Sequence, residues 1–213
     1  MMEQRTEDWY KARLGKVTAS RISDVIAKTK TGWGASRANY MAELVAERLT
    51  GRTAERYTNS AMDWGTEMEP EARTLYAMLM NTPVEEVGFV PHPTIPMTGA
   101  SPDGLIGTDG LVEIKCPYTA THIETLLSNE VPGKHIAQMQ WQMACTGRKW
   151  CDFFSFDPRM PEHMMMFVTR IERDEAQVLE LEKAVREFLR ELEIKVARLQ
   201  AIYEPVKNIL QED

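Results

Sequence analysis

Two hydrophobic periods alternate along the chain, and they predict helices and strands in a mixed order. Apolar positions three and four apart predict a helix from Ala38 to Leu49, stopped by Gly51. Another covers Glu71–Met80, with Ala72, Leu75, Tyr76 and Leu79 on one face. Nearer the start, Thr18 or Ser20 caps a short helix running toward Lys28, and the glycine-rich Lys30–Arg37 segment reads as a loop. β-rich segments take over at Val84–Pro91, Met97–Ile106 and Leu111–Pro117. The last two are joined by Gly107-Thr108-Asp109-Gly110, whose Asp-Gly pair signals a hairpin. His135–Thr146 is helical again, with Ile136, Met139 and Met143 in a stripe and Gly147 as the stop. Trp150–Phe156 and Met164–Ile171 are two further strands, so the Met164-Met165-Met166 run is read as core packing. Asp174 opens the final helix, Gln177 completes its capping box, and the helix reaches about Gln200 before a short tail. Its stripe of Val178, Leu181, Val185, Phe188 and Leu192 suits packing on its own sheet. This order predicts a mixed sheet flanked by helices, in the α/β or α+β class.

Composition adds organisation and setting. The 213 residues, 43% hydrophobic and 27% charged, show no repeat or linker, so a single domain over 1–213 is expected. No apolar run approaches the roughly 18 residues of a membrane span. The charged start, MMEQRTEDWYKARLG, lacks the apolar stretch of a signal peptide, so a cytoplasmic protein is expected. Cys116, Cys145 and Cys151 have no C-x-x-C spacing, and His92, His122, His135 and His163 stand far apart. Neither a disulfide framework nor a zinc site is indicated, so a metal site would have to be built from carboxylates. The net charge of −7 argues against non-specific coating of nucleic acid. It is unevenly spread: residues 1–60 carry eleven Lys and Arg against seven Asp and Glu, so phosphate contacts would come mainly from there. Among the five tryptophans, Trp33 sits in the predicted loop and could stack on a base, while Trp9, Trp64, Trp141 and Trp150 read as core.

The informative stretch is Ala100–Pro117, ASPDGLIGTDGLVEIKCP. Alternation along its second strand puts Leu111, Glu113 and Lys115 on one face and Val112, Ile114 and Cys116 on the other. Across the hairpin Asp103, bracketed by Pro102 and Gly104, can approach the acid and the lysine. Two converging carboxylates make a hard-oxygen site suited to one or two Mg²⁺ ions, able to generate hydroxide and to stabilise the leaving oxygen of a phosphodiester. The lysine adds a point charge that can orient the attacking water. Loose D-x₉-E-x-K spacings also recur as surface ion pairs; the apolar flanks and the bent segment favour a nuclease-type site.

Pro102-Asp103 with Glu113-Ile114-Lys115 resembles the signature of the PD-(D/E)XK nucleases, whose core is restriction-endonuclease-like. Within that superfamily the chain resembles the lambda exonuclease group, the YqaJ-type viral recombinases. The resemblance rests on Trp9-Tyr10-Lys11-Ala12-Arg13-Leu14-Gly15 with Thr18-Ala19-Ser20, Trp64-Gly65 followed by Glu69, and Ser101-Pro102-Asp103-Gly104. It continues through Glu113-Ile114-Lys115-Cys116-Pro117, Gln138-Met139-Gln140 and Asp157-Pro158-Arg159-Met160.

The resemblance implies a Mg²⁺-dependent 5′→3′ exonuclease on double-stranded DNA ends, with Mn²⁺ able to substitute and two ions per site. It also implies a ring-shaped homotrimer working beside a single-strand annealing protein. Carried over residue by residue, Asp103, Glu113 and the Ile114 carbonyl would ligate metal, and Lys115 would position the water. Glu69 would assist metal and water, although by itself it could close a T-x-x-E capping box with Thr66. Gln138 would stand beside the scissile phosphate. Arg13, Ser20 and Ser101 would grip the 5′-phosphate, with free N–H groups of a helix start after Thr18–Ser20. Met62 would part the strands, and Lys30 stands where the family has an arginine tracking the groove. The rival expectations are an endonuclease with this core and a non-catalytic recombination scaffold.

Overall fold

The chain begins with helix α1 (Glu7–Arg13), followed by strand β1 (Val17–Thr18), a 3-10 turn at Ala19–Arg21 and α2 (Ile22–Val25). A hairpin of β2 (Lys28–Thr29) and β3 (Gly32–Trp33) leads to α3 (Ala35–Thr50) and α4 (Ser60–Leu79). Next come β4 (Val84–Glu85), β5 (Val90–Pro91), β6 (Thr98–Ala100), β7 (Gly104–Ile106) and β8 (Gly110–Lys115). Helices α5 (Thr119–Ser128) and α6 (Gly133–Thr146), strands β9 (Trp150–Phe156) and β10 (Met166–Glu172), and helix α7 (Glu175–Tyr203) complete it. This computed structural model describes residues 3–53 and 60–203; the rest of the tail expected after the last helix lies outside them.

The main sheet has the order β10-β9-β8-β7-β4, with β8 and β9 parallel and the other neighbours antiparallel. A parallel pair needs a crossover, and α5 with α6 supplies it. The expected alternation holds. Val112, Ile114 and Cys116 pack with Ala72 and Tyr76 of α4, while Leu111 packs with Met139 and Met143 of α6. The expected mixed α/β fold is therefore present, its sheet lying between α4 and α6. A second sheet, β1-β6-β5, joins a cluster in which Val178, Leu181, Val185, Phe188 and Leu192 of α7 are all buried.

Several expectations change. Met97–Ile106 is two strands in two sheets, because Ser101-Pro102-Asp103 breaks the ladder where Pro102 has no N–H to give. Val84–Pro91 splits in the same way. At the hairpin the loop is Gly107–Asp109, and Gly107, at φ 50°, takes the left-handed conformation. Gly110 belongs to the strand, and a Cβ there would lie 2.1 Å from the Trp150 ring. The helix expected to run toward Lys28 ends at Val25, and neither Thr18 nor Ser20 makes a side-chain cap. The Lys30–Arg37 loop is shortened by the β2–β3 hairpin and the early start of α3. α4 already includes Ser60, well before Glu71, so Thr66 is mid-helix and cannot cap Glu69. Met164 and Met165 precede β10, and Met164 is 42% exposed. Asp174 does cap α7, accepting from the backbone N–H groups of Ala176 and Gln177 at 2.9 and 3.1 Å. Gln177 reaches the Asp174 side chain, and the Asp174 N–H goes to Gln140.

Candidate active site

The β7–β8 register pairs Gly104 with Val112, so one step outward Asp103 stands opposite Glu113. An Asp103 carboxylate oxygen accepts the Ile114 N–H at 2.7 Å, which pins the bent segment to β8. Glu113 is fully buried and surrounded by donors. Its Oε1 accepts from Gln138 at 2.6 Å and pairs with Lys115, and its Oε2 accepts from Gln142 at 2.5 Å. Gln138 and Gln142 lie one turn apart on α6, so one stripe of the helix serves the carboxylate while Met139 and Met143 fill the core.

Burial and mutual proximity dominate the electrostatics of this cluster. Burial first, and then the neighbouring Glu113 charge, push the Asp103 carboxyl well above the usual range. Burial alone would lower Lys115, but Glu113 and Asp103 outweigh it and raise that pKa. Glu69 adds to the negative field at both groups. Its own oxygens are held by Arg5 and by Arg73 at 2.6 Å. Among the described residues, no three His, Cys, Asp or Glu side chains stand together as a metal-holding group. The available donors are two carboxylates and the β8 carbonyls, a hard-oxygen set that fits Mg²⁺, which keeps several of its waters.

Beside this cluster, β1 runs parallel to β6, with Thr18 paired to Gly99. Ala19-Ser20 therefore follows the same direction as Ala100-Ser101. The Ser101 hydroxyl accepts from Trp9 Nε1 at 2.9 Å and from Arg13 Nη1 at 3.2 Å, and the Arg13 guanidinium stacks 4.0 Å over the Trp9 ring. A cavity of about 530 Å³ opens there, lined by Arg13, Lys16, Ser20, Arg21 and Met62 among others. Gly15, at φ 66°, makes the turn after α1, and its N–H donates to Glu47 of α3 at 2.7 Å. The helix start expected to offer free N–H groups is only the 3-10 turn and the four residues of α2. Lys30 is exposed in the β2–β3 turn and does not line this cavity.

The structure thus draws Asp103, Glu113, Lys115 and Gln138 into one cluster, while Arg13, Ser20 and Met62 line a cavity to which Ser101 is tied through its hydrogen bond from Arg13. Sequence reasoning missed Gln142, Arg73 and Arg5. The Gln138/Gln142 spacing and the Glu69/Arg73 spacing, both four residues on a helix, were the available signals. Arg5 reaches Glu69 from 64 residues away, with no local signal.

Residues 8–149 match the family model described as a YqaJ-like viral recombinase domain. The chain is 55% identical to an alkaline exonuclease (LHK-Exo) from Laribacter hongkongensis, over 92% of this chain and 97% of that one, with a TM-score of 0.86. The structure of LHK-Exo in complex with dAMP matches with a TM-score of 0.87 at the same identity and coverage. A phage related exonuclease from Haemophilus somnus is 14% identical over 86% of this chain and 96% of that one, with a TM-score of 0.69, a likeness of fold alone. No curated protein matches.

Proposed function

Since this chain belongs to the YqaJ-like viral recombinase family and is a PD-(D/E)XK-type exonuclease, we propose that it digests the 5′-ended strand of duplex DNA and leaves a 3′ overhang for annealing. One observation supports the polarity. Ser101, which accepts from Arg13 and Trp9, is two residues from Asp103, so a phosphate gripped at Ser101 would sit beside the carboxylates. Arg13 suits that grip because a guanidinium meets phosphate oxygens through paired N–H groups. Ser20 adds a hydroxyl to the same cavity. The dAMP complex of LHK-Exo supports a nucleoside monophosphate as the kind of product such a site accepts.

Asp103, Glu113 and the Ile114 carbonyl would hold Mg²⁺, two ions per site with Mn²⁺ as a substitute, and Glu69 would act through water. When bound, the metal lowers the pKa of its water and neutralises charge on the leaving oxygen. Gln138 and Gln142 hold the Glu113 carboxylate in one orientation. Lys115 directs the attacking water and offsets charge that develops on the phosphate. Met62 parts the strands at the cavity mouth, and Lys30 follows the duplex backbone. The active species is a homotrimer around DNA, delivering its product to a single-strand annealing protein.

Incubation of linear and covalently closed circular duplexes, with Mg²⁺ or with chelator, tests the reading. Loss of the linear form alone, and only with Mg²⁺, is expected. Nicking or linearisation of the circle would indicate an endonuclease, and undiminished digestion in chelator would remove the metal.

A further inference from the structure

The Asp157-Pro158-Arg159 motif has no part in the chemistry above, yet it reaches across to the elements that carry it. Asp157 follows β9 and is fully buried. Its carboxylate accepts Arg159 Nε at 2.7 Å, the Arg159 backbone N–H at 3.0 Å and Arg159 Nη2 at 3.0 Å. It is also hydrogen-bonded to the Thr119 side chain at the start of α5. These bonds, led among favourable contacts by Arg159, outweigh burial and hold the Asp157 carboxyl below its ordinary range. So fixed, the Arg159 guanidinium makes two outward contacts: Nη2 donates to the Pro117 carbonyl at 3.2 Å, and the guanidinium lies 4.3 Å over the Trp64 ring. Pro117 is two residues past Lys115, and Trp64 is on α4. A second tie joins the same elements, since the Tyr118 hydroxyl donates to Ser60 at 2.6 Å. Gly65 passes close enough that a Cβ would touch the Cys116 carbonyl at 3.6 Å.

We propose that Asp157 and Arg159 form a positioning clasp that fixes the first turns of α4 against the exit of β8. Met62 lies between Ser60 and Trp64, and Glu69 is five residues further on. The clasp therefore sets where the strand-parting side chain and Glu69 stand relative to Lys115. That spacing decides which phosphodiester reaches the site, so the clasp determines cleavage register. The inference rests on the proposed exonuclease function.

Arg159→Ala and Arg159→Lys, assayed with Mg²⁺ on 5′-labelled linear duplex, test it. Misplacement on the order of 1 Å costs about a hundredfold in rate. For Arg159→Ala, kcat should fall by about 10- to 100-fold with KM changed less than about threefold. Labelled product should spread from the mononucleotide to di- and trinucleotides. Arg159→Lys keeps the charge but cannot bridge Asp157 and Pro117 in one plane, so it should not restore register. Arg159→Ala that releases only mononucleotide at wild-type kcat would overturn the clasp. So would a loss confined to KM and rescued by lysine, which would make Arg159 a phosphate contact. Should Arg159→Ala fail to fold, the Ser60→Ala/Tyr118→Phe pair weakens the same junction, and unchanged register there overturns the clasp equally. A wild-type enzyme that never releases 5′ nucleotides would overturn the function and the clasp together; normal wild-type release with unaltered variants rejects the clasp alone.

Discussion

Replacing Gln142 with methionine separates the buried half of the Glu113 cradle from its wetter half. Both Gln142 and Glu113 are fully buried, so no solvent can replace the 2.5 Å hydrogen bond to Oε2. A bond to a charged partner contributes about 1.5–3 kcal/mol, and an unsatisfied buried acceptor costs a similar amount. Methionine is close to glutamine in volume, which keeps the cavity contribution small. The expected loss is about 2–3 kcal/mol, or about 5–10 °C in Tm for a chain of this size. Gln138 is only half-buried, and water can stand in for its amide, so Gln138→Met should cost about 1 kcal/mol or less. Both changes free the Glu113 carboxylate to turn, and kcat should fall by about tenfold or more in each. Urea unfolding followed by tryptophan fluorescence in chelator gives the stabilities, and mononucleotide release with Mg²⁺ gives the rates. If Gln142→Met is no less stable than Gln138→Met, burial does not make this bond decisive.

Lys115→Ala should reduce cleavage by about a thousandfold or more while DNA-end affinity stays within about threefold, because the proposed role of the lysine is at the transition state; near-normal turnover of the folded variant would remove it from the mechanism. Light scattering coupled to size exclusion should give three copies of the 24.4 kDa chain, and a stable, highly processive monomer would reject the ring. His135 provides a pH test. Burial, then Lys115 and Lys134, hold its imidazole down at about 3, against about 6.5 in an unfolded chain. Between those values only the unfolded state takes up the proton, so stability is full above about pH 6.5 and declines as pH falls, by about 2 kcal/mol at pH 5. Urea midpoints of wild type and His135→Gln at pH 7 and pH 5 check this, and equal slopes would refute it.

What could be read in advance followed from side-chain alternation. Val112, Ile114 and Cys116 against Leu111, Glu113 and Lys115 assigned both faces of β8, and the α7 stripe identified its buried side. Helix α5 escaped because its buried positions include His122 and Thr125, while Ile123 and Leu127 face outward. The early turns of α4 escaped for a related reason: Met62, Asp63, Thr66 and Glu67 are exposed there, which leaves no apolar stripe, and Pro70 reads as a boundary although it sits inside the helix. The clustering of the candidate residues was legible where they lie within one hairpin. Its supports were not, because Arg5 on Glu69, Trp9 on Ser101 and Arg159 on Trp64 join residues that only the tertiary fold brings together.

The proposed reaction starts at a 5′ end held by Arg13, Ser20 and Ser101 and proceeds inward. It is tested most directly by timing label release from linear duplexes tagged at the 5′ or 3′ terminus of one strand, with 5′-phosphate or 5′-hydroxyl ends, for wild type and Arg13→Ala. The 5′ label should leave first as a mononucleotide, faster from phosphorylated ends, and Arg13→Ala should erase that preference. Release of the 3′ label first, or a wild-type enzyme indifferent to the terminal phosphate, would rule out a start at a 5′-phosphate held by these residues.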